Sequence, residues 1–172
     1  MDFTSEQYEK ARDNLRTSTV GRDAPVIVLG PLLQLLGTKT ITAALCQYRD
    51  SRTNGQPVTT WRAAWLTDTH LLHVSASKNI DSWNSSDVNE DGPIPDELEA
   101  WSRPLSDVVA LEIADATVSR PADAKDFAWD FVYEVVFHDG HRLALPLFGD
   151  YPNDAQERDT TAEFWASVRD AV

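Results

Sequence analysis

Four histidines could do chemistry in this sequence, and they fall into two pairs near predicted turns. The pairs are His70 with His73 and His138 with His141, and an aspartate lies close to each pair. Imidazole nitrogens and carboxylate oxygens are ligands that zinc accepts, so a metal or small-molecule site at these turns is one hypothesis. A three-residue offset within a strand, however, points two side chains to opposite faces. We therefore keep this site as the alternative and expect no metal ligand set.

Three arginines are candidates for binding an anion. Arg49, Arg52 and Arg62 lie on two predicted strands and the segment between them, and guanidinium groups bind phosphate through charge-assisted hydrogen bonds. The whole chain has a net charge of -13, with 28 acidic against 15 basic residues. Such a chain repels nucleic acid and anionic membranes. We therefore expect no nucleic acid partner, and the charge argues against a membrane or a lipid headgroup.

Motifs for the common catalytic chemistries are absent from the sequence. It contains no Gly-x-Ser-x-Gly, phosphate loop, dinucleotide fingerprint or His-Glu-x-x-His pattern. Cys46 is the single cysteine, which excludes an intramolecular disulfide framework and a cysteine-based metal cluster. The first ten residues are acidic and polar, unlike a secretory signal. We expect a cytoplasmic protein with no cofactor and no catalytic residues.

Two predicted hairpins organise the chain. In the segment 127–148, alternate residues are apolar and are expected to share one buried face: Phe127, Trp129, Phe131, Tyr133, Val135 and Phe137. A three-residue loop ending at a left-handed Gly140 then sets Val135 opposite Leu143 and collects the large apolar side chains on that face. In the segment 59–75, a four-residue loop at 67–70 likewise sets Trp65 opposite Leu72.

Further strands are predicted on both sides of the first hairpin. Residues 39–49 alternate with Ile41, Ala43 and Leu45 on one face, and the polar residues 50–57 are expected to form a loop. Residues 78–95 are rich in Ser, Asn, Asp, Gly and Pro, which predicts a long mobile loop. Strands follow at 98–103 and 106–118, the second with a buried face that is expected to hold Val109, Leu111 and Ile113.

Helices are predicted at both ends of the chain. An N-terminal helix spans residues 5–15, and its stripe contains Tyr8, Ala11 and Leu15. The apolar segment 24–36 follows, with Pro31 expected to start a short helical turn; it either plugs the core or forms a dimer seam. Residues 160–172 form an amphipathic helix with a capping box at Thr160 and these residues on one face: Phe164, Trp165, Val168 and Val172.

Three runs of this sequence resemble the pleckstrin-homology-like (PH-like) family, including its GRAM and bacterial PH branches. They are AWLTDTHLLHVS at 64–75, PLSDVVALEI at 104–113 and FWASVRDAV at 164–172. The resemblance implies a mainly-β, α+β fold: a strongly bent antiparallel sheet that forms a partly open barrel, capped by the C-terminal helix. The expected organisation is a helical N-terminal appendage at 1–37 packed on a PH-like domain at 38–172.

The resemblance also implies a binding scaffold and not an enzyme, with no particular ligand indicated. Family members that bind phosphoinositides use basic residues on the first two strands, which here correspond to the three arginines. The function expected from the sequence is protein binding or self-association. The expected contact residues are Trp83, Trp101 and whichever of Trp61 and Trp65 is exposed, because aromatic side chains outside the predicted core commonly anchor interfaces.

Overall fold

A computed structural model describes residues 5–16, 23–83, 94–119, 128–152 and 154–172. Within these residues the protein is mainly β, as predicted, and it has three α-helices where two helices and a short helical turn were expected. Its strands form two antiparallel sheets with the orders β1-β2-β3-β4 and β5-β6-β7. The elements are α1 (Ser5–Arg16), α2 (Val26–Leu36), β1 (Ile41–Thr53), β2 (Gln56–Thr67), β3 (His70–Lys78), β4 (Glu97–Pro104), β5 (Val108–Ser119), β6 (Ala128–Phe137), β7 (Arg142–Leu145) and α3 (Ala155–Ala171). None of the described helices is long and apolar enough to cross a membrane.

The chain divides into two compact units, at Met1–Arg103 and Pro104–Val172. The first unit holds α1, α2 and the four-stranded sheet, and the second holds the three-stranded sheet and α3. The boundary predicted near residue 37 falls inside the first unit. Residues 84–93, most of the predicted mobile loop, lie outside the described residues.

The N-terminal helices contribute to the core of the first unit. The α2 helix contacts β2 and β3, and α1 contacts α2 and β1. On α1 the predicted stripe is confirmed for Ala11 and Leu15, which are both buried. The side chain of Tyr8, the third residue of that stripe, lies outside the described part of the chain. The segment 24–36 is thus part of a core within one chain.

The predicted start of α2 was wrong. The helix begins at Val26, so Pro31 lies inside it and cannot donate a backbone hydrogen bond to the preceding turn. A proline inside a helix costs about 3 kcal/mol. Four apolar residues of this helix are fully or almost fully buried, namely Val28, Leu29, Leu32 and Leu33. Each contributes about 1.5–3 kcal/mol by leaving water, which outweighs the loss at the proline.

The β2–β3 hairpin has the predicted register. Leu66 pairs with Leu71, Trp65 with Leu72, and Trp61 with Ala76. Trp61, Trp65 and Leu72 share the face that lies in the core of the first unit, together with the buried side of α2. The turn is held by the hydroxyl oxygen of Thr67, which accepts hydrogen bonds from the backbone N–H groups of Thr69 at 3.3 Å and His70 at 2.9 Å. The hydrophobic pattern and the turn therefore select the same pairing.

The first strand differs from its prediction in two ways. A bulge between Ile41 and Ala43 turns Ile41 to the core face and leaves Ala43 and Leu45 on the opposite face. The segment predicted as a loop is a tight hairpin, because β1 continues to Thr53 and pairs with β2 through an Asn54–Gly55 turn. These two residues have φ of 53° and 80°, values that Asn-Gly turns adopt readily.

The β6–β7 hairpin of the second unit confirms the predicted three-residue loop. Val135 pairs with Leu143, and Tyr133 pairs with Leu145. Gly140 has a φ of 84°, and its N–H donates to the Phe137 carbonyl at 2.8 Å. The predicted single buried face is confirmed only at the Val135 end of the strand, and its first residue, Phe127, lies outside the described residues. Residues of the opposite face, Val132 and Val136, are buried as well.

Gly140 is expected to be costly to replace because of its backbone conformation. A Cβ at this position would meet no atom within 4 Å, so the cost of a side chain comes from the left-handed backbone conformation. Gly140→Val should lower the free energy of unfolding by more than about 1 kcal/mol, measured by urea denaturation. Gly140→Asn is the matched control, because Asn tolerates this conformation better. Equal losses in both variants would contradict the explanation.

The predicted buried face of β5 was wrong. Val109 and Ile113 are exposed, and Leu111 is only partly buried. Two bulges interrupt the pairing of β5 with β6, one between Val108 and Ala110 and one between Ile113 and Asp115. Each bulge reverses the alternation of side chains along the strand, so a simple period of two cannot assign its faces.

The C-terminal helix starts five residues before its predicted first residue. Asp154 is the N-cap, and its side chain accepts a hydrogen bond from the backbone N–H of Glu157 at 2.8 Å. Thr160 lies inside the helix and donates to the Gln156 carbonyl at 2.9 Å, so it does not form the predicted capping box. The buried residues of α3 are Thr161, Phe164 and Val168. Of the predicted stripe, Trp165 is only partly buried and Val172 is exposed.

Candidate functional site

The histidine-bearing turns do not form a metal site in the described residues. His73 is buried, and its ring lies 5.1 Å from the ring of Trp101, whereas His70 contacts the Thr69 hydroxyl at 2.9 Å. His138 lies 3.8 Å from a carboxylate oxygen of Asp107. No group of three or more His, Cys, Asp or Glu side chains that could hold a metal ion occurs in these residues.

Two of the three candidate arginines share one face of the first sheet. Arg49 pairs with Thr60, and Thr60 lies two positions from Arg62 on β2. The side chains of Arg49 and Arg62 therefore fall on the same face. Arg52 pairs with Pro57 and falls on the opposite face. The sheet therefore does not bring the three arginines together as a phosphate site.

A polar cavity of about 310 Å³ includes Arg62 in its wall. It is lined by Thr60, Arg62, Ser75, Ser77, Glu97, Leu98 and Glu99. The Glu97 carboxylate in this wall already accepts a hydrogen bond from the Ser77 hydroxyl at 3.2 Å. Two carboxylates beside one guanidinium group oppose the binding of a phosphate, so this cavity gives the predicted anion site no support.

The expectation that Trp83 lies outside the core was wrong. Its side chain is 0 % exposed and belongs to the core of the first unit. The Trp83 carbonyl accepts a hydrogen bond from the indole N–H of Trp61 at 2.8 Å, and its backbone N–H donates to the Thr59 hydroxyl at 3.3 Å. These bonds anchor the segment after β3 against β2.

The second predicted contact residue, Trp101, is partly buried on β4. Its ring lies against the ring of His73, and the guanidinium carbon of Arg103 lies 5.7 Å from its centre. Trp61 and Trp65 are both 0 % exposed, so none of the tryptophans named from the sequence is a fully exposed aromatic anchor.

An exposed apolar surface lies instead on the second sheet. Val118 pairs directly with Trp129, and Ile113 pairs with Tyr133, so these side chains share one sheet face. The exposed fractions of Ile113, Val118 and Trp129 are 60 %, 47 % and 55 %. We call these three residues the β5–β6 apolar face. Large apolar side chains that are exposed on one face commonly mark an interaction surface.

A row of aromatic rings connects this face to the C-terminal helix. The Trp129 and Phe131 rings are stacked at 6.0 Å, and the Phe131 and Tyr133 rings lie 5.7 Å apart. Tyr133 then stacks on Trp165 of α3 at 4.5 Å. Burial raises the pKa of the Tyr133 hydroxyl above its usual value. The row of rings is therefore packed against α3 at Tyr133 and exposed to solvent at Trp129.

The alternation in the sequence did indicate that Trp129 shares a face with the other aromatic residues of β6. It could not indicate where along the strand the covering structure ends. The alternating row of large residues on β6 is therefore buried at Val135 and exposed to solvent at Trp129.

Carboxylates bind the arginines that the structure describes in the second unit. Arg142 donates to Glu112 at 2.8 Å and also to Glu134. Arg158 donates to Asp130, and Arg169 donates to Asp170 at 2.9 Å. Hydrogen bonds to carboxylates raise the pKa of Arg142 and Arg158 above the usual arginine value. Their positive charges are thus locally neutralised.

The one thiol of the chain is not poised for nucleophilic chemistry. Cys46 lies buried on β1 in the core of the first unit. Burial strongly raises the pKa of its thiol. The reactive thiolate form is therefore suppressed at neutral pH.

Comparison with known proteins found no matching family model, no matching curated protein and no matching solved structure.

Proposed function

We propose that the protein is a non-catalytic, PH-like binding module that holds a protein partner on the β5–β6 apolar face. The exposure of Trp129 beside Val118, with the exposed Ile113 further along the same sheet face, is the observation that carries this proposal. Aromatic side chains with apolar neighbours dominate the binding energy of many interfaces. The face also rests on a hydrogen-bonded sheet, so little conformational entropy is lost when a partner binds.

The PH-like part of the proposal is supported by the order of the elements. Among the described residues, seven antiparallel strands precede a C-terminal helix, and that helix buries Phe164 and Val168. In a PH-like fold the two sheets would be parts of one strongly bent, partly open barrel. Helices α1 and α2 would then be an addition to the fold, packed on its first sheet.

The alternative, a metal-dependent or small-molecule activity at the histidine-bearing turns, has no comparable support. Within the described ranges the four histidines are engaged with separate neighbours, a hydroxyl, a carboxylate and two aromatic rings. Such contacts are expected of histidines that stabilise turns and strands. We therefore place the function at the apolar face.

A photo-crosslinking amino acid at position 118 tests the proposal in living cells. We expect ultraviolet light to produce a covalent adduct with a second protein species, identified by mass spectrometry. We also expect Trp129→Ala to reduce this adduct strongly, because an interface aromatic commonly contributes about 2 kcal/mol or more. The same crosslinker at Val172, which is 56 % exposed, is the matched control.

Equal adducts at positions 118 and 172 would contradict a specific binding face, and so would the absence of any adduct at position 118. An adduct of the chain with itself would indicate self-association through this face. That outcome would replace the partner protein with a second copy.

A further inference from the structure

The net charge is distributed unevenly between the two units. Residues 104–172 contain fourteen acidic and five basic residues, whereas residues 1–103 contain fourteen acidic and ten basic residues. The second unit therefore carries most of the negative charge of the chain. Such an asymmetry points to a charged partner for the unit that carries it.

Local ion pairs do not remove this excess. Each arginine described in the second unit is held by at least one carboxylate, and Arg142 is held by two. Other described carboxylates are exposed on α3, including Asp159 and Glu163. The β5–β6 apolar face thus belongs to a unit with a strongly negative field.

The same field disfavours two other occupants of the face. Bringing two copies together would place like charges against each other, which costs several kcal/mol in an interface. An anionic membrane would be repelled for the same reason. A partner with positive charge around an apolar segment would instead gain both from electrostatic attraction to this unit and from burial of its apolar residues on the face.

The size of the face sets the length of that segment. From Ile113 to Val118 the strand covers about 15 Å, at about 3.3 Å per residue. A helix with a rise of about 1.5 Å per residue spans this distance in about ten residues. Three apolar side chains on one side of such a helix could contact Ile113, Val118 and Trp129.

We propose that the partner segment is a cationic amphipathic helix, with apolar residues on the β5–β6 apolar face and Lys or Arg residues on its flanks. This inference rests on the proposed function and adds the chemistry of the partner. Apolar burial would supply most of the affinity, and the opposite charges would speed association and select against acidic or neutral segments.

Three labelled peptides of equal length and equal apolar pattern test the charge requirement on the full chain. One carries Lys, one Gln and one Glu at every polar position, and binding is followed by fluorescence anisotropy. At about 0.05 M salt we expect the Lys peptide to bind at least about tenfold more tightly than the Gln peptide, and the Glu peptide to bind least. At about 0.5 M salt this preference should largely disappear, because screening shortens the range of the field.

Site-directed variants test whether binding occurs at the proposed face. Trp129→Ala should weaken binding of the Lys peptide by about tenfold or more, while Val172→Ala should leave it unchanged. Unfolding by urea is measured for both variants, so that a loss of structure is not counted as a loss of binding. Trp129→Phe, which keeps an aromatic ring, should retain part of the affinity.

The outcomes separate this inference from the proposed function. If the Lys and Gln peptides bind equally and both need Trp129, the charge inference fails and the face remains a protein-binding site. If Lys peptide binding ignores Trp129, the peptide adheres elsewhere on the acidic surface and the inference fails. Trp129-dependent dimerisation, or Trp129-dependent binding to phosphatidylcholine vesicles, would assign the face to a second copy or to a lipid surface and would overturn the inference. If no peptide binds in a Trp129-dependent manner and position 118 gives no adduct, both proposals fail.

Discussion

Val135→Asp is expected to destabilise the second unit by more than about 4 kcal/mol. Val135 is 0 % exposed and lies directly opposite Leu143, which is also buried. The substitution places a carboxylate where the backbone partners are already used in strand pairing. A buried charge without a partner is among the most destabilising changes known in protein cores.

Two further variants separate the effect of charge from the effect of volume. Val135→Ala removes two methyl groups without adding charge and should cost about 1–3 kcal/mol. Glu134→Gln changes the neighbouring residue on the opposite face, where Arg142 still keeps Glu112, and should cost less than about 1 kcal/mol. Urea denaturation followed by circular dichroism measures all three. A loss for Val135→Asp no larger than that for Glu134→Gln would mean that the strand has the opposite register.

The register of the two predicted hairpins, β2–β3 and β6–β7, agrees with the prediction from the sequence. In each case only one pairing collected the large apolar residues on one face, and a one-residue slip would have reversed every side chain. The pairs Trp65–Leu72 and Val135–Leu143 confirm that reasoning. Where the period of two was interrupted, the prediction failed. The bulges near Ile41 and Ile113 change the face of the following residues without any change in composition.

Helix starts were predicted less well, because several residues compete for the same role. At α3, Asp154 caps the helix although Thr160 with Glu163 forms a better capping sequence. A cap six residues earlier extends the helix by more than one turn and lets Arg158 reach Asp130. At α2, burial of the apolar stripe outweighs the cost of an internal proline. Tertiary contacts of this kind are not visible in local sequence patterns.

The candidate site was the least predictable part of the molecule. The sequence identified tryptophans as contact residues, but Trp83 is buried, and its carbonyl and N–H are bonded to β2 side chains. Trp129 was assigned to the core because it follows the same alternation as Val135. Alternation determines which residues share a face, and only the tertiary structure determines which part of that face is covered.

The two adjacent aromatic residues of α3 provide the final prediction. Phe164 is 1 % exposed, whereas Trp165 is only partly buried and contacts Tyr133 by stacking. Truncating a buried phenylalanine costs about 3–5 kcal/mol. An aromatic pair contributes about 0.5–1.5 kcal/mol beyond the area that it buries, and part of the Trp165 ring stays in water in either state. Phe164→Ala should therefore cost about 3–5 kcal/mol and Trp165→Ala about 1–2 kcal/mol.

Neighbouring residues on a helix point about 100° apart, so the order of these two losses reports how α3 is rotated against the sheet. Trp165→Phe is the matched control, since it retains a ring that can stack on Tyr133, and it should cost less than Trp165→Ala. Thermal denaturation of the full chain measures all three variants. If Trp165→Ala proves more costly than Phe164→Ala, the helix presents Trp165 to the core, as the sequence alone had indicated, and the aromatic row that leads to Trp129 is anchored more deeply than these contacts imply.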